Sequence, residues 1–278
     1  KLGKFKDVLI QDSTIVRLHS CLADKFPATR ARKIAAGVKV GVMISAIANG
    51  PKTVALYSEN TAEIKTLRIG PWIRDRILLV DLGFYKTQLF ARVEENGGYF
   101  VSRIRKNMDP FIVSIESGVL EEKREEFIGK RVSELTEQLS GKDLDAVVKI
   151  AFKRRAYKGK QRKDEMHVRL VATYNCEEEK YHIYITNIKK DVLDVNDIAK
   201  LYGARWEIEL LFKELKSGYA LDELDTKNVQ IISAFIWTSI LTLIVSRRLH
   251  NFVKNSIVDA EKKVRYTQLL WSKIFTSN

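Results

Sequence analysis

The clearest buried strand along the chain is Ile77-Leu78-Leu79-Val80, four aliphatics in a row that end on Asp81. A run without alternation predicts a strand covered on both faces, as at the centre of a sheet. Lys6–Asp12 reads the same way, a short buried strand ending on a carboxylate. Val38–Ile47 alternates weakly, Asn49-Gly50-Pro51 marks a turn and Thr53–Tyr57 returns, so a β-hairpin follows the first strand. Asn60–Leu67 suggests a short helix capped by Asn60 or Thr61. Beyond Asp81 the chain turns through Leu82–Tyr85 into a helix over Thr87–Glu95, stopped by Gly97-Gly98, and Tyr99–Arg105 is the next strand. Strand, helix, strand in that order predicts an α/β fold, a mixed sheet flanked by helices.

From about Asn107 to Lys180 the segments become shorter and more charged. Phe111–Ile115, Val147–Phe152 and His167–Tyr174 read as strands, and Glu121–Leu139 mixes strand and helix signals. These residues form a β-rich insertion, giving a core over 1–106 and 181–250, an insertion over 107–180, and a basic tail over 251–278. Tyr181–Asn187 is a further strand, and Asp194 to Asn196 begin a short helix over Asp197–Tyr202.

That helix leads into Tyr202–Lys216, which also reads as helical: no Pro, one early Gly, and many Glu, Leu, Lys and Ala. As one continuous helix it would place Tyr202, Arg205, Glu209 and Lys216 within roughly 60° of one another, with Lys213 beside them. Ile208, Leu211, Phe212 and Leu215 cover a neighbouring apolar arc. The polar stripe is a phenol, an arginine, a carboxylate and two lysines. It reads either as a solvated face with Arg205–Glu209 and Glu209–Lys213 ion pairs, or as a phosphate-facing site. Trp206, beside the stripe, reads as core packing. Val229–Val245 holds 17 uncharged residues, at the short limit for a membrane span. Its five Gln, Ser and Thr side chains and the Arg247, Arg248 and His250 that follow favour a buried core helix instead.

Composition narrows the partners. The chain has 278 residues, 45% of them hydrophobic, enough for a substantial core and unlike a disordered segment. Its net charge of +13 calls for a polyanionic partner, nucleic acid or an anionic membrane surface. Cys21 and Cys176 match no metal spacing or disulfide framework, which fits a reducing, intracellular setting. No signal peptide is visible, and a first residue of Lys rather than Met predicts that upstream residues have been removed.

Two strands ending on Asp12 and Asp81 would set both aspartates at one end of a sheet if they ran parallel as neighbours. A helix across that end could add Glu209. Hard divalent cations take oxygen ligands, and Mg²⁺ accepts few protein carboxylates plus waters and phosphate oxygens. Two such ions can activate an attacking oxygen and stabilise the leaving one in an in-line phosphoryl displacement. Each aspartate alone reads as a turn residue or helix cap; the joint arrangement beside a Tyr/Arg/Lys stripe is the informative feature.

The spacing Tyr202-x2-Arg205-x3-Glu209-x6-Lys216 resembles the signature of the DDE-class insertion-sequence transposases of the group called IS-four. Thr186-Asn187 and the Trp206, Ile208, Phe212 and Lys213 positions look like that family too. Val8–Thr14 resembles its first-aspartate block, and Leu79–Tyr85 its second. The resemblance covers about residues 6–250. It implies an RNase H-like fold with a β-rich insertion between the second Asp and the Glu. It implies a catalytic, metal-binding triad of Asp12, Asp81 and Glu209 holding Mg²⁺ or Mn²⁺, as two ions. It implies DNA contacts from Tyr202, Arg205 and Lys216, with Lys213 added from the stripe. The implied activity is cleavage at transposon ends and strand transfer into target double-stranded DNA, by a homodimer in the cytoplasm, associated with the nucleoid and not with a membrane. Because the sequence begins almost at the first strand, any upstream region for recognising DNA ends is expected to be missing or to lie outside it.

Other readings stay open at this level: a nuclease on the same scaffold, a DNA-binding protein that has lost catalysis, or a membrane-surface protein. Lys153–Lys163 packs seven cations and Tyr157 into eleven residues, a solvated loop or a DNA contact. Tyr157 is a candidate for base stacking by position only. His19, His167, His182 and His250 share no ligand spacing, and no Gly-rich phosphate loop or Ser–His–Asp ordering stands out.

Overall fold

The computed structural model of the chain describes residues 1–29, 36–119, 123–136, 138–154, 156, 158–222, 224, 226–256 and 271–272. In chain order the first elements are β1 (Asp7–Leu18), β2 (Ala36–Ser45), β3 (Gly50–Ser58), β4 (Arg76–Val80), α1 (Thr87–Glu95), β5 (Tyr99–Arg103) and β6 (Phe111–Ser117). Then come α2 (Arg124–Phe127), α3 (Val132–Thr136), β7 (Leu144–Lys153), β8 (Lys163–Asn175) and β9 (Lys180–Thr186). The last are α4 (Val195–Gly203), α5 (Trp206–Gly218) and α6 (Val229–Ser256). The chain divides into two compact units: Lys1–Leu9 with Leu67–Arg205, and Ile10–Thr66 with Trp206–Asn278.

In the first unit the sheet runs β1 (its Asp7–Leu9), β4, β5, β9, β8, β7, β6. It is mixed: β4 and β5 are parallel, and every pairing from β5 out to β6 is antiparallel. The unalternating aliphatics of β4 explain its place, since Ile77, Leu78, Leu79 and Val80 are all fully buried. Helix α1 lays Leu89, Phe90 and Val93 on the sheet, with Phe90 stacked on Phe100 of β5 at 4.5 Å. It stops where predicted: Gly97 takes φ +69, and a Cβ on Gly98 would stand 2.6 Å from the Ile73 side chain. The strands of 107–180 continue this sheet outward from β9.

Two polar clamps hold the frame in which α4 sits. Thr186 donates its hydroxyl to the Phe100 carbonyl at 2.7 Å. Asn187 donates to the Gly98 carbonyl at 3.0 Å and accepts from the Phe100 amide at 3.0 Å. The Thr-Asn pair singled out in the sequence therefore fastens β5 to the end of β9. Arg169 on β8 grips Asp145 on β7 with two bonds of 2.7 and 2.8 Å and donates to the Ile188 and Leu193 carbonyls. Both charges are buried and fully bonded, the condition under which a buried pair is tolerated. This pair pins the segment leading to α4, whose first turn is closed by a reciprocal Asp194–Asp197 capping box.

In the second unit the sheet order is β3, β2, β1 (its Ile10–Leu18). The hairpin β2–β3 forms as predicted, antiparallel, with every β2 residue buried. Helix α5 buries Ile208, Leu211, Phe212 and Leu215, the apolar arc read from the sequence, and packs against α6.

Four local expectations are corrected. β1 does not end at Asp12 but runs on to Leu18, because Ser13-Thr14-Ile15-Val16 is β-favouring. Asn60–Leu67 forms only a single 3₁₀ turn at Glu63–Lys65. Tyr202–Lys216 is two helices rather than one: α4 ends at Gly203, and the Ala204 and Arg205 amides bond back to Leu201 and Tyr202 in a tight turn. Val229–Val245 is not a fully buried core helix; it belongs to a 28-residue helix with only one face buried. By length and composition α6 is apolar enough to cross a membrane, with 33% of its most apolar window buried inside the protein.

Candidate active site

Asp81 follows directly on the last residue of β4. Val80 pairs with Ser102 in the parallel β4–β5 register, so one step further brings Asp81 level with Arg103. Asp81 is half-exposed and, although it starts the 3₁₀ turn Leu82–Phe84, its side chain caps no backbone amide. The ordinary role of an aspartate after a strand is thus not the one it fills.

Tyr202, on the last turn of α4, is buried, with its ring 5.2 Å from Tyr184 of β9. Two guanidiniums approach that ring: Arg103 from β5 at 5.8 Å and Arg205 from the turn after α4 at 5.9 Å. Burial pushes the Tyr202 phenol above its ordinary value, the Asp81 charge pushes it the same way, and Arg205 and Arg103 oppose. Asp81, Tyr202, Arg103 and Arg205 therefore share one electrostatic neighbourhood in the first unit. Beside it, Arg105 donates to the Leu82 carbonyl at 2.9 Å and lies 5.5 Å from the Tyr85 ring. The Tyr85 phenol is pushed up to about 12 by burial.

Arg103 and Arg105 were missed in the sequence. The signal was available: alternate residues on the strand after Asp81 stand on one face, and a strand parallel to β4 puts its end beside Asp81.

Asp12, Glu209, Lys213 and Lys216 belong to the second unit. Asp12 is half-exposed in mid-strand and accepts from the Ser13 amide at 2.7 Å. Glu209 and Lys216 on α5 are half-exposed, and Lys213 is exposed. Trp206, expected in the core, is 56% exposed at the start of α5. The three carboxylates are hard donors of the kind Mg²⁺ and Mn²⁺ take, and none is sealed from solvent. Among the described residues no group of three or more His, Cys, Asp or Glu side chains stands together in a way that could hold a metal ion.

The basic run 153–163 lies at the tip of the β7–β8 hairpin, closed by the Lys153–Lys163 pair. Arg154 there is held by Glu95 at 2.6 Å and Asp164 at 2.7 Å. Tyr157 lies outside the described residues.

The family model described as Transposase DDE domain matches residues 3–245. A transposase for insertion sequence element IS1151 from Clostridium perfringens is 24% identical over 294 residues, covering 93% of this chain and 60% of the relative. The transposase of IS231F from Bacillus thuringiensis subsp. israelensis is 20% identical, over 94% of this chain and 60% of the relative. The chain thus spans about 60% of the length of these relatives. In structure it resembles piggyBac transposase, solved by cryo-EM as a synaptic complex with hairpin DNA, at a TM-score of 0.51 and 12% identity, over 98% of this chain and 53% of that one.

Proposed function

The chain belongs to the transposase DDE domain family, and from that premise we propose that it is the catalytic part of an insertion-sequence DNA transposase. The reaction is divalent-metal-dependent cleavage of double-stranded DNA at transposon ends, followed by strand transfer into target DNA. The observation that carries this reading is Asp81: an accessible carboxylate at the end of a buried parallel strand, engaged in no cap, beside a buried phenol and two guanidiniums. Three of these, Asp81, Tyr202 and Arg205, stand in the family's sequence order.

In this reading the fold is RNase H-like, with core residues 1–106 and 181–250, an insertion over 107–180 and a basic tail over 251–278. On the family resemblance Asp12, Asp81 and Glu209 would be the metal-binding carboxylates, taking Mg²⁺ or Mn²⁺ as two ions, and the support from this chain is that each is open to solvent. Bound there, the ions would acidify the attacking hydroxyl and offset charge on the leaving oxygen. Arg205 takes two non-bridging phosphate oxygens side by side, and Arg103 adds a second guanidinium on the same side of Asp81. Tyr202 is the third phosphate contact that the resemblance implies, its hydroxyl the donor. Lys213 and Lys216 contribute point charges along α5.

Cleavage adds a water oxygen to phosphorus and expels the 3′-oxygen, which leaves as a 3′-hydroxyl. Strand transfer adds that 3′-hydroxyl to a target phosphorus and expels another 3′-oxygen. Both are in-line displacements with the same charge development, so one set of carboxylates and cations serves both. The protein works as a homodimer on two DNA ends, in the cytoplasm at the nucleoid.

Glu209→Gln tests the assignment. The variant is expected to lose Mg²⁺- or Mn²⁺-dependent strand cleavage of transposon-end DNA while binding that DNA nearly as well as the parent. Unchanged cleavage sinks the assignment of Glu209.

A further inference from the structure

His182 on β9 has no part in the site as described so far. Arg103 stands opposite Tyr184 in the antiparallel β5–β9 pairing, so it shares a face of the sheet with His182, two residues along the same strand. Its Nη2 lies 3.3 Å from His182 Nδ1. On the other side of the ring, His182 Nε2 lies 3.1 Å from a carboxylate oxygen of Glu178 in the β8–β9 turn. These two neighbours fix the proton. A guanidinium can only donate, so Nδ1 must offer its lone pair. Nε2 then carries the hydrogen and donates it to Glu178, whose carboxyl Lys180 and His182 hold below its ordinary value. A neutral ring with its hydrogen on Nε2 satisfies both contacts, and no other form does. The bond to His182 is the one side-chain hydrogen bond that Arg103 makes among the described residues, and the Arg103 Nε is buried without a partner.

We propose that His182 is a positioning residue: its neutral imidazole, braced by Glu178, holds the Arg103 guanidinium beside the Tyr202 ring in the orientation that receives a DNA phosphate. This role rests on the reading of Arg103 as a phosphate contact. A proton on Nδ1 ends the hold, because the ring then donates where it had accepted and two cations face each other. The charged groups that face the imidazole are Arg103 from β5, Glu178 from the β8–β9 turn and Lys180 from β9 itself. β8 sets the uncharged Thr173 across from it, and α4 reaches this face with the Tyr202 ring. Lys180 is itself paired with Glu178, which leaves Arg103 as the cation that gives way.

The test isolates what Arg103 contributes. Dissociation constants for duplex DNA are measured at one salt concentration for the parent and for Arg103→Ala. Their ratio is followed from about pH 8 to about pH 5.5, the range in which imidazoles titrate. Titrations elsewhere in the protein are common to both and cancel in the ratio. The ratio is expected to be about tenfold at the upper end, as for one charge-assisted contact, and to fall toward one at the lower end. With His182→Asn in both proteins it should stay near its upper value throughout, because the Asn carbonyl oxygen stands where Nδ1 stood and takes no proton. With His182→Ala in both it should be near one at every pH. Asn and Ala each remove the ring, so a mere loss of packing would lower the ratio alike in both and would overturn the positioning role. A tenfold ratio indifferent to pH and to His182→Ala would overturn it too, and would leave Arg103 on the phosphate without His182. A ratio of one in the parent at every pH would take Arg103 off the DNA and the proposal with it. None of these results bears on the cleavage test with Glu209→Gln.

Discussion

Asp81 and Glu214 make an instructive pair. Each carboxylate has a tyrosine and an arginine for company. Glu214 on α5 is 1% exposed and accepts two bonds from Arg247, at 3.0 and 2.7 Å, with Arg247 itself 3% exposed. Burial pushes its carboxyl above the ordinary range, and Arg247 pulls only part of that back. Asp81 is half-exposed, and the arginines near it face the Tyr202 ring. The same three residue types thus make a sealed structural pair in one unit and an open, cation-flanked carboxylate in the other. What separates them is solvent access. A buried carboxylate must satisfy its charge within the protein; an open one can offer its oxygens to a metal or its neighbours to phosphate.

The largest effect expected from this contrast is on chemistry. Asp81→Asn is predicted to reduce metal-dependent DNA cleavage by about a thousandfold or more, as removal of a group that acts with others as a unit does. Its melting temperature should change little, because the side chain caps nothing. A large loss of stability with retained activity would make Asp81 a structural residue and erase the contrast.

Next in size is the sealed pair. Arg247→Ala leaves the Glu214 carboxyl buried without its partner and is expected to cost about 3–5 kcal/mol, lowering the melting temperature by roughly 10 °C. Replacing both residues, as Arg247→Met with Glu214→Leu, should recover most of that loss, because neither charge is then left buried alone. Denaturant titration of the two variants gives the comparison. If the double variant is no better than the single, the pair contributes net attraction and not mere mutual satisfaction.

Much of this contrast was legible in the sequence, and its limits have physical causes. Strand β4, helix α1 and the β2–β3 hairpin are written in local patterns: an unalternating aliphatic run, a helix closed by two glycines, a turn at Asn49-Gly50. Such elements owe their form to neighbours in sequence. The break between α4 and α5 was not legible, because Gly203 in a run of good helix formers costs only about 1 kcal/mol and tertiary packing decides whether the helix continues. Glu214 is the clearest case. By composition it looks like any charge on an amphipathic helix; its burial depends on Arg247, 33 residues away on α6. Trp206 errs in the other direction, since a large aromatic predicts burial from its own chemistry and takes no account of its place at the solvent-facing start of α5. The signature Tyr202, Arg205, Glu209, Lys216 is a spacing in sequence and does not depend on the helix being continuous, whereas the single polar stripe inferred from it required one continuous helix.

A smaller effect sharpens the open side. Arg103→Ala and Lys216→Ala should each weaken DNA binding and reduce the slope of log K against log salt by about one, the counterion release of a single phosphate contact. Arg247→Ala, assayed below its melting transition, should leave the slope unchanged, because its guanidinium is committed to Glu214. Binding isotherms between about 50 and 200 mM salt are enough to separate the two outcomes. An unchanged slope for Arg103→Ala would remove β5 from the DNA-facing set and leave Arg205 as the guanidinium beside Asp81.

The smallest expected effect is the proton linkage at Glu214, and it bears most directly on what sealing means. The folded-state pKa lies above the ordinary 4.5, so the folded protein holds this proton more tightly than the unfolded chain does. The stability it contributes is complete below the unfolded value and is lost as pH rises through the raised folded value. Melting temperature should therefore carry a declining component that starts near pH 4.5 and ends above the raised folded value. Glu214→Gln, which cannot titrate, should lack that component, so calorimetry of the two proteins over the same pH series should give curves that differ in shape. Curves that differ only by a constant offset would mean that Glu214 titrates alike in the folded and unfolded states. Solvent would then reach it as it reaches Asp81, and the distinction between a sealed carboxylate and an open one would have to rest on Arg247 alone.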